Sequence, residues 1–272
     1  MSHEVRSGVG AFGEFPIGLI PLVGLPEVVQ GDDLGRLIVE RAAAGGTPIT
    51  SGDLVVVAQK VVSKAEGAVV RVSDQVPTGE ALELAERVGK DARLVQIILD
   101  QSSRVVRAVP GVLIVETKHG FICANAGIDQ SNIDGDDLVT TLPVDSDASA
   151  RGIRDAIVGG GVDLGGPGDT RKGVGVLVSD TFNRAWREGS INVAIGTAGF
   201  DPLRDLRGLA DDFDREMLTS MVSLADEVAS AAQLVMGELG RVPVAIVRGV
   251  AWEPGDFPIG RLLRDPERDL FR

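Results

Sequence analysis

Apolar and polar positions alternate in blocks along this chain, and the spacing of the blocks predicts a succession of short strands and medium helices. Residues 17–23 read as a strand that leaves through Gly24-Leu25-Pro26. Asp32 and Asp33 cap a helix running to Ala43, with Leu34, Leu37 and Ile38 on one face. After Gly45-Gly46 and Ser51-Gly52-Asp53, an almost unbroken apolar run from Leu54 to Val62 predicts a strand buried on both faces. Helices follow over Pro77–Lys90 and Ala92–Gln101, and short strands over 104–124, broken at Pro110-Gly111 and His119-Gly120. Asp145 caps a further helix that stops at Gly159-Gly160-Gly161. Strands at 173–181, 191–195 and 242–247 frame the apolar stripe of residues 218–236, which predicts the longest helix. The first fourteen residues read as a loose tail. Gly8, Gly10 and Gly13 there mimic a dinucleotide fingerprint, but no strand precedes them and Pro16 interrupts any helix. The glycine-rich stretch 165–173 lacks Walker A spacing and reads as a turn, and no internal repeat is evident.

Polar residues inside the apolar blocks carry the chemistry. Residues 122–138 crowd Asn125, Asp129, Ser131, Asn132, Asp134, Asp136 and Asp137 behind a strand. Two carboxylates about 4 Å apart repel by about 4 kcal/mol at an effective dielectric near 20. Converging carboxylates therefore favour a divalent cation between them. Asp134, Asp136 and Asp137 also suit an ordinary solvated turn. Asp129 follows an apolar run, so its side chain faces a site or a partner. Asp180 and Thr181 close a strand, where open sheets gather ligands, although a strand followed by Asp equally describes a helix cap. Gln59, Lys60 and Lys64 follow the apolar strand at 54–62 and are costly to bury without a ligand, unless the lysine stems reach solvent. Arg184 and Arg187, three apart, could clamp an anionic substrate group. Glu238 lies just past the 218–236 helix, a usual place for a solvated charge.

Composition narrows the field. With 272 residues and 44% hydrophobic content the chain can bury a large core. A net charge of -13 disfavours nucleic acid and acidic membranes as partners, so local cations would have to meet any phosphorylated ligand. The only cysteine, Cys123, cannot form an internal disulfide, which suits a reducing cytoplasm, and its apolar setting predicts burial. Two histidines, His3 and His119, support neither a zinc cage nor a nucleophilic triad. The apolar stretch 15–29 is broken by three prolines and is too short to span a bilayer.

Four segments taken together, Val61 to Gly67, Asn125 to Asn132, Val178 to Thr181, and Ala225 through Glu238, make the chain resemble the coenzyme F420-0:L-glutamate ligase (gamma-glutamyl ligase) family over residues 17–250. The resemblance implies an α+β fold with mixed β-sheets flanked by helices, an intertwined homodimer, and a GTP-dependent, metal-requiring amide ligase. Carried over by position, it implies guanine nucleotide contacts at Leu25, Pro26, Glu27 and Val28, at Gln59, Lys60, Lys64 and Asn132, and along Met236, Gly237, Glu238, Leu239, Gly240, Arg241, Val242 and Pro243. It implies two divalent cations, magnesium or manganese, with Asp129 and Asp180 on one and Thr181 and Glu238 on the other, together with a monovalent potassium ion. The chain departs from archaeal relatives at Gln59-Lys60, where small hydroxyl residues are usual. Actinobacterial relatives join such a ligase to a flavin-binding domain. Residues 251–272 read as a linker toward one or as a natural terminus, leaving 15–250 as the ligase domain.

The implied chemistry transfers the GTP γ-phosphoryl group to the terminal carboxylate of F420-0, and the glutamate amine then attacks the acyl phosphate. Lys64, Arg184 and Arg187 are the residues expected to act on substrate phosphates and carboxylates. Two rivals use the same residues: a metal-dependent nucleotide phosphohydrolase, and a GTP-binding module without catalysis.

Overall fold

A computed structural model of the chain describes residues 16–130, 137–162, 173–183 and 185–269. In chain order the first half contains β1 (Gly18–Pro21), α1 (Leu34–Ala44), β2 (Leu54–Ala58), α2 (Gln59–Glu66), β3 (Val69–Arg71), α3 (Gly79–Val88), α4 (Ala92–Asp100), β4 (Ser102–Val109), β5 (Val112–Thr117) and β6 (Ile122–Ala124). The second half contains β7 (Leu138–Thr140), α5 (Ser146–Gly159), β8 (Gly175–Asn183), β9 (Ser190–Ala198), β10 (Leu203–Asp205), β11 (Met221–Ser223), α6 (Leu224–Met236) and β12 (Val244–Arg248). The chain is thus an α+β protein, as the resemblance implied.

Its centre is a mixed five-stranded sheet in the order β1-β12-β2-β8-β9. Only β2 and β8 run parallel; the other pairs are antiparallel. Val55, Val56 and Val57 of β2 are fully buried, as the continuous apolar run predicted. Helices α1, α5 and α6 complete this core. Smaller antiparallel sheets join β4 to β5 and β6, β3 to β7, and β10 to β11. Helices α3 and α4 pack on the β4–β5 hairpin around Leu84, Val95, Ile98, Leu113 and Val115, a second core.

The open edge of β9 is covered by side chains from two helices. Asp226 of α6 accepts from the Ala194 N–H at 2.9 Å and Gln233 from the Asn192 N–H at 2.8 Å. Asp147 of α5 accepts from the Thr197 N–H. Unpaired edge groups are satisfied in this way without another strand. Residues 192 and 194 are two apart, whereas 197 breaks that alternation. The change of phase is due to an irregularity in the β8–β9 register at Val178/Ser179. Just beyond it, Gly196 lies against the Ser146 backbone at the start of α5, leaving no room for a Cβ.

Three elements differ from expectation. The predicted strand 54–62 ends at Ala58, and α2 begins at the next residue. The predicted helix 218–236 begins only at Leu224, because residues 221–223 pair with β10. At 14 residues, α5 is instead the longest among the described helices. Residues 251–263, placed outside the 15–250 domain as a linker or a natural terminus, contribute to the core: Trp252 Nε1 donates to the Gly52 carbonyl and Ile259 is buried. The glycine tail at 8–13 and most of the 165–173 turn lie outside the described residues.

Candidate active site

The parallel pairing of β2 with β8 stops at Ala58–Ser179. From there β2 turns into α2, while β8 continues to Asn183 beside β9. Asp180 and Thr181 therefore lie not at the end of their own strand, as predicted, but just past the end of its neighbour. A cavity of about 470 Å³ opens at this step. Around it stand the 25–28 segment after β1, the start of α2, Asp129, Ser179, Asp180, Thr181, Asn192 and residues 236–239 and 241–243 between α6 and β12.

Asp129 is fixed by two backbone hydrogen bonds with Thr140, 3.1 and 2.9 Å long. The chain approaches it through Asn125, Ala126 and Gly127, all with left-handed backbone at φ of 53°, 57° and 70°. Two non-glycine residues in that region hold local strain, a pattern found where geometry at a site is imposed. Gly127 fits closely against Leu142 and the Asp180 carboxylate.

Charges in the cavity are arranged in pairs. Lys60 Nζ lies 2.7 Å from Asp129 Oδ2, and Lys64 Nζ lies 2.5 Å from Glu27 Oε1. Arg241 binds the other Glu27 oxygen at 3.1 Å. The Lys64 hydrogen bond, supported by Arg241, holds the Glu27 carboxyl below its usual pKa. Asp180 behaves oppositely. Burial, with added repulsion from Asp129 and Glu238, pushes its carboxyl up to about 7, against the pull of the Thr181 N–H and Lys60. Thr181 Oγ1 donates to Asn192 Oδ1 at 2.8 Å and lies 3.5 Å from Glu238 Oε1. Gln233 Nε2 donates to the same Glu238 oxygen at 3.0 Å. The Ser179 hydroxyl is buried without a hydrogen-bond partner among the described residues.

The cavity brings together the nucleotide positions expected at 25–28, 59–60, 64, 236–239 and 241–243, and all four residues expected as metal ligands. Gly240 lies in the same loop but not on the wall. The Gln59 amide nitrogen is committed to Ser63 Oγ at 2.6 Å and the Thr141 carbonyl at 2.8 Å, so it is not available to a ligand. Arg187 is exposed and does not line the cavity. Asn132 and Arg184 lie outside the described residues. Asp137, read as a solvated turn residue, is a partly exposed turn residue that accepts from the Ser73 N–H and hydroxyl and from Arg71. Sequence reasoning missed Asn192, Gln233 and Ser179. Asn192 and Gln233 are single polar residues between apolar neighbours, and Ser179 directly precedes Asp180 and Thr181, so only the tertiary contacts single them out.

Hard oxygen donors surround Asp180, and its carboxyl resists ionisation partly because two other carboxylates face it. A magnesium- or manganese-type cation suits that donor set. Among the described residues no three Asp, Glu, His or Cys side chains are already gathered for metal binding. Nor is any described helix long and apolar enough to cross a membrane.

The chain is thus an α+β protein in which one cavity, at the step between β2 and β8, gathers two lysines and several carboxylates. Residues 23–249 match the family model described as F420-0:Gamma-glutamyl ligase, and the chain belongs to that family. It is 42% identical to the Coenzyme F420:L-glutamate ligase of Methanothermobacter thermautotrophicus over 94% of this chain and 99% of that protein. It is also 42% identical to the enzyme of the same name from Methanocaldococcus jannaschii, over 83% and 86%. Identity to the Archaeoglobus fulgidus enzyme is 37%, over 94% and 96%.

Proposed function

We propose that the protein is a GTP-dependent ligase that joins L-glutamate to coenzyme F420-0 through an acyl phosphate, with γ-linkage in any later additions. The observation that carries this reading is the union in one cavity of two lysines, a helix start and a carboxylate group around Asp180.

A carboxylate does not react with an amine until its oxygen becomes a leaving group. The γ-phosphoryl group passes to the F420-0 carboxylate oxygen and GDP departs. The glutamate amine then attacks the acyl carbon, phosphate leaves and the nitrogen loses a proton. In the first step polyphosphate and carboxylate must approach despite their charges, so positioning and neutralisation dominate.

Helix α2 begins without a side-chain cap, and its first residues line the cavity. Uncapped N–H groups and the helix dipole suit phosphate oxygens there. Lys64, with a side chain only 14% exposed, adds a shielded charge on the next turn. Leu25, Pro26 and the 236–243 loop would enclose the nucleoside. Divalent cations held by Asp129 and Asp180, and by Thr181 and Glu238, would supply charge neutralisation at the phosphoryl oxygens. A potassium ion completes the proposed set.

The test is incubation with F420-0, GTP, manganese or magnesium and isotope-labelled glutamate, followed by mass analysis of the product and measurement of GDP. Labelled amide formed with one GDP per glutamate is expected. Nucleotide hydrolysis without amide would instead identify a phosphohydrolase, and binding without turnover a non-catalytic module.

A further inference from the structure

One carboxylate of the proposed metal set already carries a tethered positive charge. Lys60 Nζ lies 2.7 Å from Asp129 Oδ2, with the two side chains 20% and 35% exposed. Lys60 is the second residue of α2, near the positive end of the helix dipole. A cation is disfavoured there, so the helix itself does not account for the placement. The cavity does: the same ammonium favours the charged form of Asp180 as well. Lys64, one turn further on, is bound to Glu27.

A divalent ion that takes Asp129 must share the carboxylate with this ammonium or displace it, since two positive charges would otherwise sit side by side. The flexible four-carbon stem of lysine permits displacement, and the cavity that Lys60 lines is the space where polyphosphate is proposed to lie. We propose that Lys60 is a positioning residue that competes with the divalent cation for Asp129, so that it sets metal affinity and passes to the nucleotide phosphates when the cation binds. This inference rests on the reading of Asp129 and Asp180 as metal ligands. By linkage, any polyanion that attracts the ammonium away from Asp129 strengthens metal binding, and the reverse also holds.

The test uses the full chain, stripped of metal by a chelator and titrated with Mn2+ alone, with free Mn2+ read from its electron paramagnetic resonance signal. Lys60→Met and Lys60→Ser are expected to bind Mn2+ about five- to tenfold more tightly than the unmodified protein, the scale set by loss of a partly buried ion pair. Lys60→Arg, which keeps the pair, is expected to stay within about twofold. Lys64→Met makes the same charge change one turn away and is expected to alter affinity much less. Unchanged or weaker binding in both Lys60→Met and Lys60→Ser overturns the proposal, as does equal tightening by Lys64→Met. Absence of Mn2+ binding in every protein up to millimolar concentration removes the metal reading and the competition with it. Loss of binding confined to Asp129→Asn keeps the metal reading while the Lys60 variants decide the competition.

Discussion

Glu238 is an exposed member of the proposed metal set, and Gln233 donates to its carboxylate. The Gln233 amide spans two structures: its oxygen accepts from the Asn192 N–H on the edge of β9, and its nitrogen donates to Glu238 Oε1 at 3.0 Å. Gln233→Glu keeps the acceptor for Asn192 but replaces the donor with a second carboxylate oxygen at the same place. Two unit charges 3.0 Å apart repel by about 5.5 kcal/mol at an effective dielectric of 20 and by about 1.4 kcal/mol in water. Glu238 is exposed, so the lower end applies, and about 2 kcal/mol is a reasonable cost, equal to a factor of about 30 in affinity or rate. Glu238 should swing out and leave Thr181 with Asn192 alone. The expected result is a fall of about 30-fold in kcat/KM for GTP, relieved in part by high manganese, with thermal stability almost unchanged because the Asn192 contact survives. A kcat/KM within about twofold of the parent, or a loss explained by a large drop in melting temperature, would refute the positioning role of Gln233.

Three further outcomes follow from groups around the core. Burial, and then the charge of Asp180, push the Cys123 thiol up to about 12, so iodoacetamide at pH 8 should label it only after denaturation; rapid labelling of the native protein would contradict this burial. Asp53 is fully buried, accepts two hydrogen bonds from Arg248 and ties the start of β2 to the end of β12. Asp53→Asn should cost roughly 2 kcal/mol in denaturant unfolding, less than a wholly buried pair because Arg248 is partly exposed, and a loss under about 0.5 kcal/mol would disprove the anchor. Burial raises the pKa of Asp147 despite the Thr197 and Ile259 N–H donors. The native state therefore holds this proton more tightly than the unfolded chain does. That contribution is complete below the unfolded pKa and fades as pH climbs through the raised value, so Asp147→Asn should gain on the parent over that interval in paired pH–stability curves.

The elements that surround the site were largely legible, because strand interiors and helix caps announce themselves locally. Asp33 and Asp145 cap α1 and α5 as expected, and β1, β2, β8, β9 and β12 of the central sheet all fall on runs read as strands. Lengths were less legible. The run after Ala58 continues with Val61 and Val62, so hydrophobicity gives no sign that a strand has become a helix, and no capping side chain marks the change. Gly67, with φ of 74°, is the one local signal, and it marks the far end. In the 218–236 stretch, Leu218 and Met221 fall on a helical period by coincidence. Met221 pairs in β11, while Ser223 and Asp226 bond to each other as α6 starts.

These errors of length bear directly on the site. If β2 had continued through Val62, it would have kept pairing along β8 and closed the space beside Asp180. Because β2 stops at Ala58 and β8 runs on, the two partners of a parallel pair end at different levels, and the cavity occupies the step between them. Conversion to helix also places Lys60 and Lys64 on one face, a turn apart, where each meets a carboxylate from a different segment. The identities of the charged residues could be read from the sequence. Their pairing could not, since Asp129 and Glu27 reach α2 only through the tertiary fold, and Gln233 reaches Asn192 across 41 residues. A site built at the unequal ends of neighbouring strands depends on where each strand stops, which tertiary packing decides and local propensity only suggests.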